Sequence, residues 1–173
     1  MTMSVQDELE INRAVNLYGF AVDTQSWDLF DRIFTDDIDA DYSETSHWTD
    51  LATFKSDFEA YHDAFDGTQH TMMSHLVNVR GDIANAMTYA TWRLVRRGLA
   101  GGDFWEGQGW YDDGLTRTNA GWRISSRICR IVWWGGNPLV NETIPGVKFS
   151  LPLDALRAER LAGRVRFYDS LMA

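Results

Sequence analysis

The sequence predicts an α+β fold, a cone-shaped barrel in which a curved antiparallel sheet and three helices near the start of the chain enclose a pocket. Apolar residues recur at helical spacing in the first third of the chain, whereas the period changes to two from Gly67 onward. The predicted strands are joined by short turns, which is typical of antiparallel sheets, and we expect the helices to pack on one face of the sheet.

Two of the three helices precede the first strand. The first has apolar residues at helical spacing over 11–22, and the second begins near Trp27. The segment IDADYSE (38–44) alternates apolar with polar residues and therefore indicates a half-buried strand. The third helix has an apolar stripe over 51–65.

Four long strands follow the third helix. Residues with turn chemistry, Arg80-Gly81-Asp82 and Asp112-Asp113-Gly114, are expected to end two of them. The predicted strands span 69–80, 83–97, 103–112 and 121–134.

The chain is expected to form one domain over 1–136 and a C-terminal arm over 137–173. All three prolines lie in the arm, and a probable helix over 154–168 carries four arginines. On an acidic protein this basic helix could dock on its own subunit, dock on a neighbouring subunit or stay solvated.

The composition excludes some functional classes and favours one kind of ligand. The 173 residues carry a net charge of −9, whereas a grip on nucleic acid needs a positive surface, so we expect no nucleic-acid partner. Aromatic residues make up 13% of the chain and include eight tryptophans. Such residues fill cores and also wall pockets for flat or cyclic molecules.

Neither a cofactor nor a metal is expected. The single cysteine, Cys129, rules out an internal disulfide and a multi-cysteine metal site. The four histidines lack metal-ligand spacing, and no standard phosphate-binding loop is found. The N-terminus lacks the layout of a signal peptide, and no apolar run approaches ~18 residues. We therefore expect a cytoplasmic protein without membrane contact.

The chemistry that remains is that of histidine. His70 opens a predicted strand, where an imidazole is either a hydrogen-bonded structural residue or a group that exchanges protons near neutral pH. Strand alternation places His70 and His75 on opposite faces unless a bulge intervenes. Asp23 ends an apolar helical face, so it is either a cap for the next helix or an inward carboxylate that pairs with a histidine.

Two arginines lie in the apolar last strand, where a charge must be paired or line a polar cavity. Arg127 and Arg130 are three residues apart and therefore on opposite faces, and each could face the pocket or a subunit interface. Cys129 shares the face of Arg127 and is expected to be a small core residue rather than a nucleophile. The aromatic residues expected to contact substrate are Tyr18, Trp27, Trp110 and Trp133.

Several short motifs, in this order and spacing, resemble those of scytalone dehydratase. Asp23 lies four residues before Trp27, Asp41-Tyr42 ends the next strand, and Thr68-Gln69-His70 opens a later one. The segment RTNAGWRISSRICRIVWWGG is similar to the final strand of the hexachlorocyclohexane dehydrochlorinases and of the β subunits of ring-hydroxylating dioxygenases. All belong to the nuclear-transport-factor-2-like (NTF2-like), or SnoaL-like, superfamily of cone-shaped α+β barrels. The resemblance covers about 1–136.

This resemblance implies a catalytic set. His70 matches the family's catalytic base, Asp23 the carboxylate that orients it, and Tyr42 a tyrosine that binds substrate oxygen or water. Arg127 matches the arginine that helps a leaving group depart in the dehydrochlorinases. The second catalytic histidine of scytalone dehydratase has no counterpart near Val95–Arg97, so scytalone itself is not the expected substrate.

The residues and the resemblance together predict a cofactor-independent lyase. It would eliminate water, halide or a small carbonyl fragment from a cyclic or aromatic small molecule, with the His–Asp pair as general base. An isomerase or cyclase would use the same base. A different class stays open, namely a non-catalytic β-type subunit of a ring-hydroxylating dioxygenase or a small-molecule binding module, because one superfold hosts many functions.

The apolar residues of the late strands predict an oligomer. Both faces of these strands are apolar, and a single pocket can bury only one. We expect the other face to bury itself against a second subunit, and the family's lyases suggest a homotrimer. Light scattering at micromolar concentration measures this assembly. A monomer would contradict the burial argument, whereas a dimer would contradict only the family analogy.

Overall fold

The computed structural model describes residues 4–148 and 152–172, and its first element is helix α1 (Val5–Asp23). The helix begins at Ser4, whose hydroxyl accepts a hydrogen bond from the Asp7 amide at 3.1 Å and so satisfies an otherwise unpaired donor. Its apolar face is buried from Ile11 to Val22, as its spacing predicts. This face packs mainly on the strand that spans Gly67–Arg80.

The second predicted helix is a short 3-10 helix, Trp27–Arg32. Such helices are common as brief connectors, and only ten residues separate α1 from the first strand. Helix α2 (Leu51–His62) begins at Asp50, whose carboxylate accepts a hydrogen bond from the Thr53 amide at 2.8 Å. The predicted apolar stripe is buried on α2 as far as His62, where the helix ends.

In the described part of the chain, six strands form one sheet, and their order is β2-β1-β6-β5-β4-β3. Together with the helices they confirm the predicted α+β fold, a curved sheet that encloses a cavity. The strands are β1 (Phe34–Ser43), β2 (Ser46–Trp48), β3 (Gly67–Arg80), β4 (Ile83–Val95), β5 (Phe104–Thr118) and β6 (Gly121–Gly136).

The sheet is not wholly antiparallel, which corrects the sequence prediction in one place. Strands β3 to β6 form an antiparallel meander, but β1 pairs with β6 in parallel. A parallel pair needs a long connection, and here α2 and four strands separate the two partners. Residue periodicity reports burial and not strand direction, so the sequence pattern could not distinguish the two pairings. The three-residue strand β2 is too short to produce a periodic signal.

Strand β5 continues through Asp112 and Asp113, where the sequence predicts a turn. Both carboxylates are completely buried because each has a partner inside the protein. Asp113 forms an ion pair with Arg127, and Asp112 accepts the backbone N–H groups of Arg166 and Phe167 at 2.5 and 3.0 Å. The chain instead turns after Thr118.

The C-terminal segment docks on its own chain. The single helix expected over 154–168 is two helices, α3 (Leu156–Leu161) and α4 (Arg166–Met172), because Gly163 between them has a φ of 69°. A left-handed residue of this kind ends a helix, and glycine adopts it without strain. Val165 and Phe167 pack on the outward-facing side chains of Met87 and Trp110.

Other apolar side chains of the strands remain open. Met73, Tyr89 and Trp133 are 37%, 44% and 43% exposed. The second subunit expected to cover the open face of the late strands, and the homotrimer, stay predictions. Within 4–148 and 152–172, no helix combines the length and apolar character needed to cross a membrane.

Candidate functional site

A cavity of about 350 Å³ is lined by residues of α1, α2, all six strands and the C-terminal segment. This volume lies within the range of about 300–1,000 Å³ that is typical of small-molecule sites. Its walls are largely aromatic. The aromatic residues that line it include Trp48, Phe58, Tyr61, Trp92 and Trp105.

His70 and Asp23 form a hydrogen-bonded pair beside this cavity. His70 Nδ1 lies 2.7 Å from Asp23 Oδ1, and the His70 backbone N–H donates to Asp23 Oδ2 at 2.8 Å. The Thr68 hydroxyl donates to Asp23 Oδ1 at 3.0 Å. Gly19 allows this approach of α1 to β3, because a Cβ at that position would lie 3.2 Å from His70 Cβ. The histidine and the carboxylate are therefore held in a fixed relative orientation.

The electrostatics of the pair fix the tautomer of His70. Burial raises the pKa of Asp23, but the hydrogen bonds from His70 and Thr68 outweigh it, and the pKa lies below its ordinary value. An ionised carboxylate only accepts hydrogen bonds, so His70 Nδ1 carries a hydrogen, and in the neutral ring Nε2 holds the lone pair. Because the His70 side chain lines the cavity, it can take a proton from a bound molecule.

Three tyrosines line the cavity next to this pair. The hydroxyls of Tyr18 and Tyr42 are 3.0 Å apart, and the Tyr111 hydroxyl accepts a hydrogen bond from Trp92 Nε1 at 2.6 Å. Burial raises the pKa of Tyr18 and, to well above the ordinary value, those of Tyr42 and Tyr111. The three hydroxyls therefore stay protonated at neutral pH. One of their hydrogens is used in the Tyr18–Tyr42 bond, so the group can still donate to a ligand oxygen but not through all three hydroxyls at once.

Arg127 lies behind these tyrosines and does not line the cavity, which corrects the expectation that it contacts a leaving group there. Its side chain is completely buried and bonded to both Asp113 oxygens, at 2.7 and 2.8 Å. The guanidinium also lies 4.2 Å from the ring centroids of Tyr18 and Tyr111. A buried guanidinium needs a carboxylate partner, and Asp113 on the neighbouring strand holds it away from the cavity.

Arg130 is the arginine that lines the cavity. Its guanidinium is 2.6 Å from a carboxylate oxygen of Asp41 on β1 and 3.8 Å from one of Asp154 in the C-terminal segment. Arg130 therefore links β6, β1 and the C-terminal segment at the edge of the cavity.

Three of the four aromatic residues expected to contact substrate do not line the cavity. Tyr18 does. Trp27 packs on Phe58 and His62, Trp110 is buried on the outer face against α4, and Trp133 is largely exposed. The register shifts between β5 and β6, at Gln108 and Gly109. A bulge changes which side chains share a face, so strict alternation misplaces residues beyond it.

His75 also departs from simple alternation. The register of β3 against β4 shifts between Met73 and Leu76, and Ser74 there has a φ of 53°. This bulge turns His75 toward α1, where its ring nitrogens lie 3.0 Å from the Thr88 hydroxyl and 3.2 Å from Asn16 Oδ1. His75 is thereby engaged in structural hydrogen bonds and does not line the cavity.

His62 is a cavity residue that the sequence analysis missed. It lies in the last turn of α2, is 3% exposed, and its ring centroid is 6.5 Å from that of His70. The available signal was its position four residues after Phe58, which continues the buried stripe of α2. Among the described residues, no group of three acidic, cysteine or histidine side chains is arranged to hold a metal ion.

Comparison with known proteins identifies the family to which this chain belongs. Residues 3–128 match the model of the SnoaL-like domain, and the chain belongs to this family. An uncharacterized protein of Mycobacterium tuberculosis is 30% identical over 134 residues, which cover 72% of this chain and 84% of that protein.

Two solved structures show the same fold. One is a protein from Novosphingobium aromaticivorans, provisionally described as a scytalone dehydratase, with a TM-score of 0.73 and 16% identity. It covers 87% of this chain and 95% of its own. The other, an NTF2-like superfamily protein from Salmonella enterica, has a TM-score of 0.64 and 18% identity over 76% of this chain and 91% of its own. These likenesses confirm the predicted α+β fold.

Proposed function

We propose that this protein is a cofactor-independent lyase that acts on a cyclic or aromatic small molecule. The observation that carries the proposal is the His70–Asp23 pair, which presents a basic nitrogen at the wall of an aromatic cavity. The family and the fold support the coarser part of it, a role in binding a small molecule or in an isomerase or lyase reaction.

The reaction begins with proton abstraction. His70 Nε2 takes a proton from a carbon next to an activating group, and Asp23 stabilises the imidazolium that forms. The electron pair of the broken C–H bond becomes the new double bond, while the leaving group departs from the adjacent carbon with its bonding pair. When the leaving group is hydroxide, the His70 imidazolium returns the proton to it and water is released. No electrons are exchanged with a cofactor.

The tyrosines assist where negative charge develops. Their protonated hydroxyls donate hydrogen bonds to the departing oxygen or halide, inside a cavity whose low polarity strengthens each such contact. Tyr42 and Tyr18 are held together by their mutual hydrogen bond, so they act as one donor site. Arg127 contributes through the rings of Tyr18 and Tyr111 rather than by contact with the substrate.

Two alternatives to the lyase differ in what they require of the His70–Asp23 pair. An isomerase or cyclase would use the same base but would release no leaving group. A non-catalytic β-type subunit of a ring-hydroxylating dioxygenase needs no carboxylate-oriented histidine in its cavity, so the His70–Asp23 contact favours the enzyme. Co-purification with a larger iron–sulfur protein would favour the subunit instead.

Proton NMR in D₂O tests the proposal. The purified protein is incubated with a panel of cyclic and aryl ketones that carry a hydroxyl or a halogen at the β carbon, with the His70→Ala variant as control. We expect an alkene product from the wild-type protein and its formation about 10²–10⁴ times more slowly by the variant. Deuterium uptake beside the carbonyl without loss of the substituent would indicate an isomerase, and equal conversion by both proteins would contradict the assignment of the base.

A further inference from the structure

His62 occupies a position in the cavity that the proposed elimination does not use. Its ring stacks on Phe58, with centroids 5.3 Å apart, and packs against Trp27 at 5.4 Å. These contacts fix the ring at the end of α2, and His62 lines the same cavity as His70.

The hydrogen bonding of His62 determines what it can offer to a ligand. Its Nδ1 lies 2.7 Å from the backbone carbonyl oxygen of Phe58. A carbonyl oxygen only accepts hydrogen bonds, so Nδ1 carries the hydrogen and Nε2 keeps the lone pair. Burial lowers the pKa of His62 to about 4, which keeps the ring neutral at pH 7. Within 4–148 and 152–172, Nε2 has no hydrogen-bond partner from the protein.

His62 Nε2 is a fixed hydrogen-bond acceptor in an aromatic wall, and it needs a hydrogen-bond donor. An unpaired polar group in such a place costs about 1–3 kcal/mol, which a ligand recovers when it supplies a hydrogen. The tyrosine hydroxyls in this cavity suit ligand oxygens, whereas His62 suits a hydrogen that the ligand itself carries. A carboxylate lacks that hydrogen at neutral pH, and a hydroxyl on a flat ring brings it without a charge to desolvate.

We propose that His62 recognises a hydroxyl group of the substrate. The substrate is then a hydroxylated cyclic or aromatic compound. Its O–H donates to His62 Nε2, and another part of its ring faces His70. This inference rests on the proposed function in one respect, namely that the cavity is the site where the reaction takes place. It predicts ligand binding by a direct contact, so it can be tested without any turnover.

A pair of matched probes provides the test. The dissociation constants of 2-naphthol and of its methyl ether are measured by protein-observed NMR titration, because the two molecules differ in the hydrogen that His62 would accept. We expect the wild-type protein to prefer the naphthol by about tenfold, the equivalent of one good hydrogen bond. In His62→Phe, which keeps an aromatic ring against Phe58, the preference is expected to fall below about twofold.

Two further variants locate the contact. His47→Phe changes an exposed histidine outside the cavity and is expected to keep the wild-type preference. His70→Phe is also expected to keep it. Loss of the preference in His70→Phe together with its survival in His62→Phe would place the hydroxyl on His70 and overturn the proposal. Equal binding of the two probes by the wild-type protein would overturn it as well.

A second readout covers the case in which His62→Phe does not fold. In the wild-type protein, the ¹⁵N resonance of His62 Nε2 is expected to move upfield on addition of the naphthol and to stay in place with the methyl ether. Absence of that difference contradicts the proposal. If the preference for the naphthol depends on His62 but no elimination is found, this inference stands and the lyase is contradicted. If elimination is found without that preference, the lyase stands and this inference is contradicted.

Discussion

Replacing His70 with alanine is expected to lower kcat for the elimination by about 10²–10⁴, the usual contribution of a positioned general base. The reason is that, among the described residues, the cavity holds no second imidazole oriented by a carboxylate. His62 bonds to a backbone carbonyl, and His47 and His75 do not line the cavity. Turnover is measured on whichever substrate the D₂O screen identifies, and circular dichroism establishes that the variant folds.

Asp23→Asn is expected to reduce kcat in the same direction, because an amide cannot stabilise the imidazolium as a carboxylate does. The amide also has only one acceptor oxygen for the three hydrogen bonds that Asp23 accepts. His75→Ala is the matched control and is expected to retain most of the activity. A large loss of turnover in His75→Ala with an active His70→Ala would show that the wrong histidine was assigned.

The sequence predicts the elements of this fold better than it predicts which side chains meet. Helices α1 and α2 and the starts of β3 and β4 follow from apolar spacing, because burial of one face is a local property of the pattern. The residue pattern left two roles open for Asp23, a helix cap or a partner for a histidine, and only the resemblance to a known family selected its pairing with His70, 47 residues away. No spacing rule in the sequence alone could distinguish that contact from a helix cap.

The side chains that the sequence places wrongly are affected by strand irregularities and by partners from distant parts of the chain. A bulge in β3 turned His75 toward α1, and a register shift between β5 and β6 accompanied the misplacement of Trp133. Asp112 and Asp113 have the composition of a turn, yet both are buried because their partners come from distant parts of the chain. Side-chain alternation and turn propensity cannot report such partners.

Arg127 is the residue for which the structure changes the expected phenotype most. Both members of the Arg127–Asp113 pair are completely buried, and removing one member of such a pair leaves the other charge unpaired in the interior. We expect Arg127→Met to lower the free energy of unfolding by about 3–5 kcal/mol, a loss comparable to the stability of many small domains. Urea denaturation followed by tryptophan fluorescence measures it.

The double variant Arg127→Met/Asp113→Leu separates this stability effect from an effect on the reaction. With both charges replaced by apolar side chains of similar size, most of the lost stability is expected to return, because no unpaired charge remains. Arg130→Ala, in which a half-buried guanidinium is removed, is expected to be milder than Arg127→Met. If the double variant regains stability and also keeps full turnover, Arg127 is purely structural. A stable double variant with a reduced kcat and an unchanged KM would instead show that its charge acts through Tyr18 and Tyr111, the two rings it contacts.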